Sequence, residues 1–369
     1  MKKVLSGKQI ESLLEKIPKV KIGFFPTPLH KLKNISKEYG VDVYIKREDM
    51  SGPSSFGGNK VRKIEYIVGE AIEKNYDTLM TVGSYQSNAA LQLAQYCNIN
   101  NLNAISILGD TKTEGEPKER KGNLLLNSFL GTDIHLVHRD EPKGNYNMNP
   151  LWVKVDKKSE EVKKEYEKKG HKVMQVPVGC TSQAGWVSYI TVFKEIVEQM
   201  KSFDSELDYI FHANGSAGSI PGLIVGKFLM GAKTKMISIN NRRYGPGELV
   251  SEQDIFDRVK YLFNKLNIEA PADDKIWAEI NIDQDYLGKG YGQPTAAGSE
   301  AIIEVAKKEG LFLDPVYTGK SFSGLLNYIR SGKIPSGSKV GYIHTGGTGG
   351  LFIGTETFHE DLKKHIYKK

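Results

Sequence analysis

The sequence predicts an α/β protein with open, mostly parallel, twisted β-structure flanked by helices. Short apolar runs rich in Val, Ile and Leu recur along the 369 residues, and longer helical patterns lie between them. Strands that alternate with helices in this way form βαβ units. The runs are apolar throughout rather than alternating, as expected of parallel strands covered by helices on both faces.

In chain order, the first strong helical pattern starts at Lys60, where Val61, Ile64, Val68, Ala71 and Ile72 line one face. Residues 77–82 (DTLMTV) read as a buried strand, followed by a polar turn and a helical stretch over 89–97. Further strands are expected at 102–108, 134–137, 172–176, 209–213, 235–239 and 340–345. The polar segment 140–169 interrupts this rhythm with a loop-like part (EPKGNYNMNP) and a charged helix, and is expected to be a surface insertion. The sequence shows no repeat of 20–50 residues.

Composition excludes several classes of function. The net charge of +7 invites a nucleic-acid reading, but the lysines are scattered and alternate with glutamates, as in KKSEEVKKEYEKK at 157–169. That pattern is a solvated helix face, so no nucleic-acid partner is expected. No apolar run reaches the ~18–20 residues of a membrane-spanning helix, so no membrane partner is expected either. The N-terminus lacks the apolar core of a signal peptide. Cys97 and Cys180 are the only cysteines, too few for a disulfide framework or a cysteine-based metal site. A cytoplasmic location and no metal are the expectations.

Three loops that follow expected strands are rich in Gly, Ser, Thr and Asn: 83–88 (GSYQSN), 212–219 (HANGSAGS) and 344–350 (HTGGTGG). Each alone could be turn chemistry. Together, at the C-terminal ends of strands, they favour a phosphorylated ligand. The second is the best phosphate site, because the apolar run GLIVGKFLM follows it directly. Its glycines match neither G-x-G-x-x-G nor a GK[ST] loop, so nucleotides lose ground to a small phosphorylated cofactor. Lys60 follows two glycines and an asparagine and opens a helix. The helix dipole disfavours its ammonium form there, and the neutral amine is what an imine requires. An exposed surface lysine is the plain alternative.

PTPL at 26–29, YIKRED at 44–49, FGGNKVRKIEY at 56–66, QSN at 86–88, YGQP at 291–294, DPVYTGK at 314–320 and HTGG at 344–347 together resemble one family. It is the D-cysteine desulfhydrase and 1-aminocyclopropane-1-carboxylate deaminase family of pyridoxal-phosphate enzymes, with the tryptophan-synthase-β fold (fold type II). The resemblance implies two mostly parallel sheets. It also implies a large cofactor-binding domain from 1–60 and 172–369, a smaller inserted domain from 61–171 carrying the QSN loop, and the cofactor in the cleft between them. It implies pyridoxal 5'-phosphate on Lys60, with Asn59 beside it and Asn88 touching the cofactor. Gly215, Ala217, Gly218 and Ser219 would hold the phosphate. Ser87, Asn88 and Ala89 would receive the substrate carboxylate, with Ser87, Tyr291 and Tyr317 completing the catalytic set.

Deaminases that open the cyclopropane resemble VYEGK and HLGG, whereas this chain has Thr318 and Thr345 at those places, like the desulfhydrase branch. A neutral hydroxyl near the pyridine nitrogen makes a weaker electron sink than a carboxylate, adequate for β-elimination. The expected activity is therefore elimination and deamination of a small D-amino acid to a keto acid and ammonia, by a homodimer. A β-replacement synthase is the runner-up, and a catalytically idle cofactor-binding or regulatory protein is the rival of another class. Ala89 and Leu91 depart from the His or Gln and the Arg usual in the family. Trp186 and Tyr189 make the GCTSQAGWVSY stretch bulkier than usual, so the substrate rim is altered.

Overall fold

The computed structural model describes residues 4–109, 117, 119–138, 149–242 and 250–367. Its strands are β1 (Leu29–Lys31), β2 (Asp42–Lys46), β3 (Thr78–Ser84), β4 (Asn103–Gly109), β5 (Asp133–Val137), β6 (Val173–Val176), β7 (Tyr209–Asn214), β8 (Lys235–Asn240), β9 (Ile282–Asp283) and β10 (Lys339–Ile343). They form two mostly parallel sheets flanked by helices, as the sequence predicts. The chain divides into two compact units. One comprises Met1–Ile17, Phe24–Asn59 and Trp186–Lys369, and the other Pro18–Gly23 and Lys60–Gly185.

In the larger unit the strand order is β1-β2-β10-β7-β8-β9, and only the β1–β2 pair is antiparallel. Val43, Ile45, Phe211, Ile237, Ile239, Val340 and Tyr342 are buried in its core. Fully burying such a side chain stabilises by about 1.5–3 kcal/mol. The YIKRED motif lies at the end of β2 and does structural work. Lys46 is buried, and its Nζ donates to Thr27 O (2.7 Å), Glu195 Oε2 (2.6 Å) and Gln199 Oε1 (2.8 Å). Arg47 and Asp49 form a two-pronged pair.

In the smaller unit the order is β5-β4-β3-β6, parallel throughout. The helix Lys60–Glu73 buries Val61, Ile64, Val68 and Ala71, but Ile72 is 46% exposed and lies off the apolar face expected for it. A larger correction concerns 140–169. Residues 140–148 lie outside the described residues, but the charged helix Asn149–Lys168 is not a surface insertion. It is the crossover between β5 and β6, and it packs on the sheet. Leu151, Val155 and Val162 are buried against Met80, Ile105 and Ile107. Three buried apolar side chains at helical spacing, with Trp152 and Tyr166 partly buried beside them, suffice for that, and the lysines and glutamates of the solvent face obscure them in the sequence.

Among the described residues no helix is long and apolar enough to cross a membrane.

Candidate active site

Parallel sheets gather function at the C-terminal ends of their strands. In the larger unit, β10, β7 and β8 are neighbours, and they deliver the loops after Ile343, Asn214 and Asn240 to the same edge.

The loop after β7 runs into the helix Ile220–Met230, whose first turn contains Pro221. Ala217 is buried with φ +51°, a left-handed conformation that costs a residue with a side chain about 1 kcal/mol or more. Such a turn points successive amides the same way. Among the described residues no protein group accepts from the amides of Ala217, Gly218 or Ser219. The site is therefore a row of donors at the positive end of a helix, which fits a phosphate. Gly215 begins the loop, and Ser219 caps the helix without a side-chain bond.

After β8, Asn241 is fully buried, and neither Oδ1 nor Nδ2 has a partner. Its backbone amide donates to Asn214 O at 2.8 Å, and Asn214 Nδ2 donates to Asn240 Oδ1 at 2.7 Å. Sequence reasoning missed this amide cluster, because a pair of asparagines after a strand reads as a turn.

The loop after β10 holds Thr345, whose carbonyl accepts from the amide of Asn59 (3.1 Å) and whose hydroxyl has no partner among the described residues. Gly347 has φ +99°, and a Cβ there would stand 2.8 Å from Asp314 Oδ1, so only glycine fits. His344 is buried, with Nε2 on Phe312 O (3.0 Å).

Asp314 organises the next part of the site. Its carboxylate accepts from the amides of Val316 (2.8 Å), Tyr317 (2.9 Å) and Thr318 (2.8 Å) and from the Thr318 hydroxyl (2.7 Å). The same hydroxyl accepts from the Asp314 amide at 2.7 Å, so Thr318 is fully engaged in holding this turn. Burial pushes the Asp314 carboxyl up, against those hydrogen bonds. The turn sets Tyr317, whose phenol is hydrogen-bonded to that of Tyr291. Burial and the neighbouring phenol push Tyr317 well above the usual tyrosine range, so it keeps its proton. The Arg242 guanidinium lies 5.9 Å from the Tyr291 ring. Lys320 is fully buried and ties down the segment preceding Tyr291, donating to Leu287 O (2.8 Å) and Gly290 O (3.1 Å). Burial pushes its ammonium down to about 8, with Asp314 opposing. The final lysine of the VYTGK motif is thus a tether.

In the smaller unit, Lys60 is the first residue of its helix and partly buried. Desolvation pushes its ammonium down to about 8, and the Cys180 thiol opposes. Cys180 is fully buried and pushed up to about 11, with Lys60 and Lys63 pulling the other way. A neutral amine is therefore accessible at Lys60 near neutral pH, which fits an aldehyde-bearing cofactor. Ser87 caps the helix Asn88–Ile99 by accepting from the amide of Ala90 (3.1 Å), and Ala89 is buried. The buried Asn123 holds this loop from the side. Its Nδ2 donates to Asn88 Oδ1 (2.7 Å) and Gln86 O (3.0 Å), and its amide donates to Gln86 Oε1 (2.9 Å). No sequence signal marks Asn123, which lies 35 residues downstream of Asn88.

Within the larger unit the structure therefore brings together Tyr291, Tyr317 and Thr318. It places Gly215, Ala217, Gly218 and Ser219 in one loop, and Asn59 against Thr345. Within the smaller unit it sets Ser87, Asn88 and Ala89 at one helix start, and Lys60 at another.

A family model described as pyridoxal-phosphate dependent enzyme matches residues 20–346. The chain belongs to that family. A Pyrococcus furiosus protein, named provisionally as a 1-aminocyclopropane-1-carboxylate deaminase, is 35% identical over 93% of this chain and 96% of its own. The Arabidopsis thaliana mitochondrial bifunctional D-cysteine desulfhydrase/1-aminocyclopropane-1-carboxylate deaminase is 33% identical over 90% of this chain and 78% of its own. A crystal structure of a 1-aminocyclopropane-1-carboxylate deaminase homologue superposes with a TM-score of 0.78, at 33% identity over 93% of this chain and 96% of its own. As a pyridoxal-phosphate-dependent enzyme of this deaminase and desulfhydrase family, the chain uses pyridoxal 5'-phosphate.

Proposed function

We propose that this enzyme eliminates the β-substituent of a small D-amino acid such as D-cysteine and deaminates the remainder, releasing a keto acid and ammonia. The observation that carries the reading is that Thr318 stands where a cyclopropane-opening enzyme would have Glu and Thr345 where it would have Leu, so that neither motif position supplies a carboxylate. The name of the Arabidopsis relative pairs a D-cysteine desulfhydrase activity with 1-aminocyclopropane-1-carboxylate deaminase, which supports the elimination half of the reading alone.

In this reading Lys60 would hold the cofactor, Asn59 and Asn88 would contribute further contacts, and the amides of Gly215, Ala217, Gly218 and Ser219 would bind its phosphate. Thr345 would offer its hydroxyl to the cofactor, and Thr318 holds the Asp314 turn. Ser87, Asn88 and Ala89 receive the substrate carboxylate at a positive helix end. When bound, pyridoxal phosphate supplies the electron sink that makes the α-proton of an amino acid acidic. Once the substrate's own amine had taken its place, the freed Lys60 amine, deprotonated more readily than an ordinary lysine, would accept that proton. Tyr317, kept protonated by burial and hydrogen-bonded to Tyr291, would pass a proton through that pair to the departing thiolate or hydroxide. For D-cysteine the balance is one water consumed, with pyruvate, hydrogen sulfide and ammonia released.

The decisive measurement is keto-acid release from paired D- and L-amino acids and from 1-aminocyclopropane-1-carboxylate. D-selective elimination with no useful ring opening is expected. Efficient ring opening would overturn the electron-sink argument, and strict L-selectivity would place the enzyme outside the desulfhydrase branch.

A further inference from the structure

Beside the glycine-rich loop stands a cation that no motif announces. Arg258, on the helix Glu252–Lys265, donates from Nη1 to the carbonyl oxygen of Ser216 at 3.1 Å. Its guanidinium lies 5.0 Å from the centre of the Trp186 ring, within range of a cation–π contact. Trp186 is steadied by an edge-on contact with Tyr261, with centroids 5.6 Å apart at 90°. The backbone behind it is also fixed. A Cβ at Gly222, on the helix that follows the loop, would lie 2.6 Å from the Trp186 carbonyl oxygen.

The Ser216 carbonyl and the Ala217 amide belong to one planar peptide unit and point in opposite directions. Whatever holds Ser216 O therefore aims the Ala217 N–H the other way. Ala217 is also the residue held at φ +51°, so this is the peptide most prone to flip if released. A further observation points to a ligand here: the amides of Ala217, Gly218 and Ser219 have no acceptor among the described residues.

We propose that Arg258, seated on Trp186, is a positioning residue for the cofactor phosphate: it locks the Ser216–Ala217 peptide so that the loop amides face the phosphate, and adds its positive charge to theirs. The inference rests on the reading of residues 215–219 as the phosphate loop. Trp186, an apparent bulky departure on the substrate rim, thereby becomes part of the phosphate apparatus. The peptide lock predicts selectivity for the phosphorylated form of the cofactor rather than for its ring.

The test is equilibrium titration of the apo-enzyme with pyridoxal 5'-phosphate and, separately, with pyridoxal, followed by absorbance. Arg258→Met is expected to weaken pyridoxal 5'-phosphate binding by about tenfold or more, as for loss of a charge-assisted hydrogen bond. Pyridoxal binding and the apo-enzyme melting temperature should stay near wild type, and Arg258→Lys should recover part of the loss. If Arg258→Met misfolds, Trp186→Leu removes only the surface beneath the guanidinium and should shift the same ratio less. Ala217→Asp puts a carboxylate in the loop and serves as the control. If that variant keeps the phosphate preference, the loop reading itself falls. If it loses the preference while Arg258→Met keeps it, only the role of Arg258 falls. Equal weakening of both ligands by Arg258→Met overturns the proposal as well, since it would make the residue merely structural.

Discussion

The phenols of Tyr291 and Tyr317 share a hydrogen bond, and their rings cross at 64° with centroids 6.0 Å apart. Each is therefore the other's nearest acid–base partner. Tyr291→Phe and Tyr317→Phe should retain the cofactor and lose turnover by ~10²–10⁴-fold, the usual contribution of a general acid or base. Steady-state kcat alongside cofactor absorbance checks this. Near-normal kcat in both single variants would make the pair structural.

Lys60 should be the residue that borohydride fixes to pyridoxal phosphate. Peptide mapping of the reduced protein reads this directly, and a label on another lysine would exclude it. In the apo-enzyme, Lys60 should react with amine-directed reagents along a pH profile centred near 8, whereas ordinary lysines follow one near 10.5. The sign follows from desolvation, which favours the neutral and reactive form.

Lys320→Met leaves the carbonyls of Leu287 and Gly290 without their donor and loosens the segment that presents Tyr291. A fall in kcat of roughly 10–100-fold is expected, with cofactor affinity little changed, because a misplaced catalytic group is costly. The stability difference between wild type and this variant should also depend on pH. The buried ammonium titrates near 8 in the folded enzyme and near 10.5 when unfolded, so the unfolded chain binds more protons across that window. Wild type should therefore gain stability relative to Lys320→Met as pH rises from 8 to 10.5. Denaturant titrations at several pH values would show a flat difference if burial did not hold the Lys320 ammonium down.

Leu151→Ala tests whether the helix Asn149–Lys168 is part of the core. Leu151 is 2% exposed, and its Cδ2 would lie 3.1 Å from a Cβ placed at Gly109 on β4. Truncation should destabilise by about 2–5 kcal/mol in denaturant unfolding. A change under about 0.5 kcal/mol would return the helix to the status of an insertion.

The legible parts of this protein were those written in contiguous residues. Runs such as DTLMTV announced β3, and the order of GGNK, QSN, YGQP and VYTGK pointed to the family. Elements whose stability comes from distant partners were not legible. β2 is held between β1 and β10, and Asn123 reaches a loop 35 residues away. Arg258 meets Ser216 only across the fold, 42 positions apart. The helix Asn149–Lys168 failed for another reason, since its buried stripe is narrow and its composition is dominated by the side that faces water.

The placement of β10 has a consequence for how the chain is made. The smaller unit's sheet uses strands between Thr78 and Val176 only, so it can close while the rest is still being synthesised. The larger sheet cannot. β10, which ends at Ile343, is the strand between β2 and β7, and until it leaves the ribosome those two strands have no common neighbour. Nascent chains grow from the N-terminus and expose unpaired edges in the interval. During biosynthesis the binding edge with the Gly215–Ser219 loop and Thr345 therefore comes together last, and a chain interrupted before Lys339 would hold one finished sheet and one split in two.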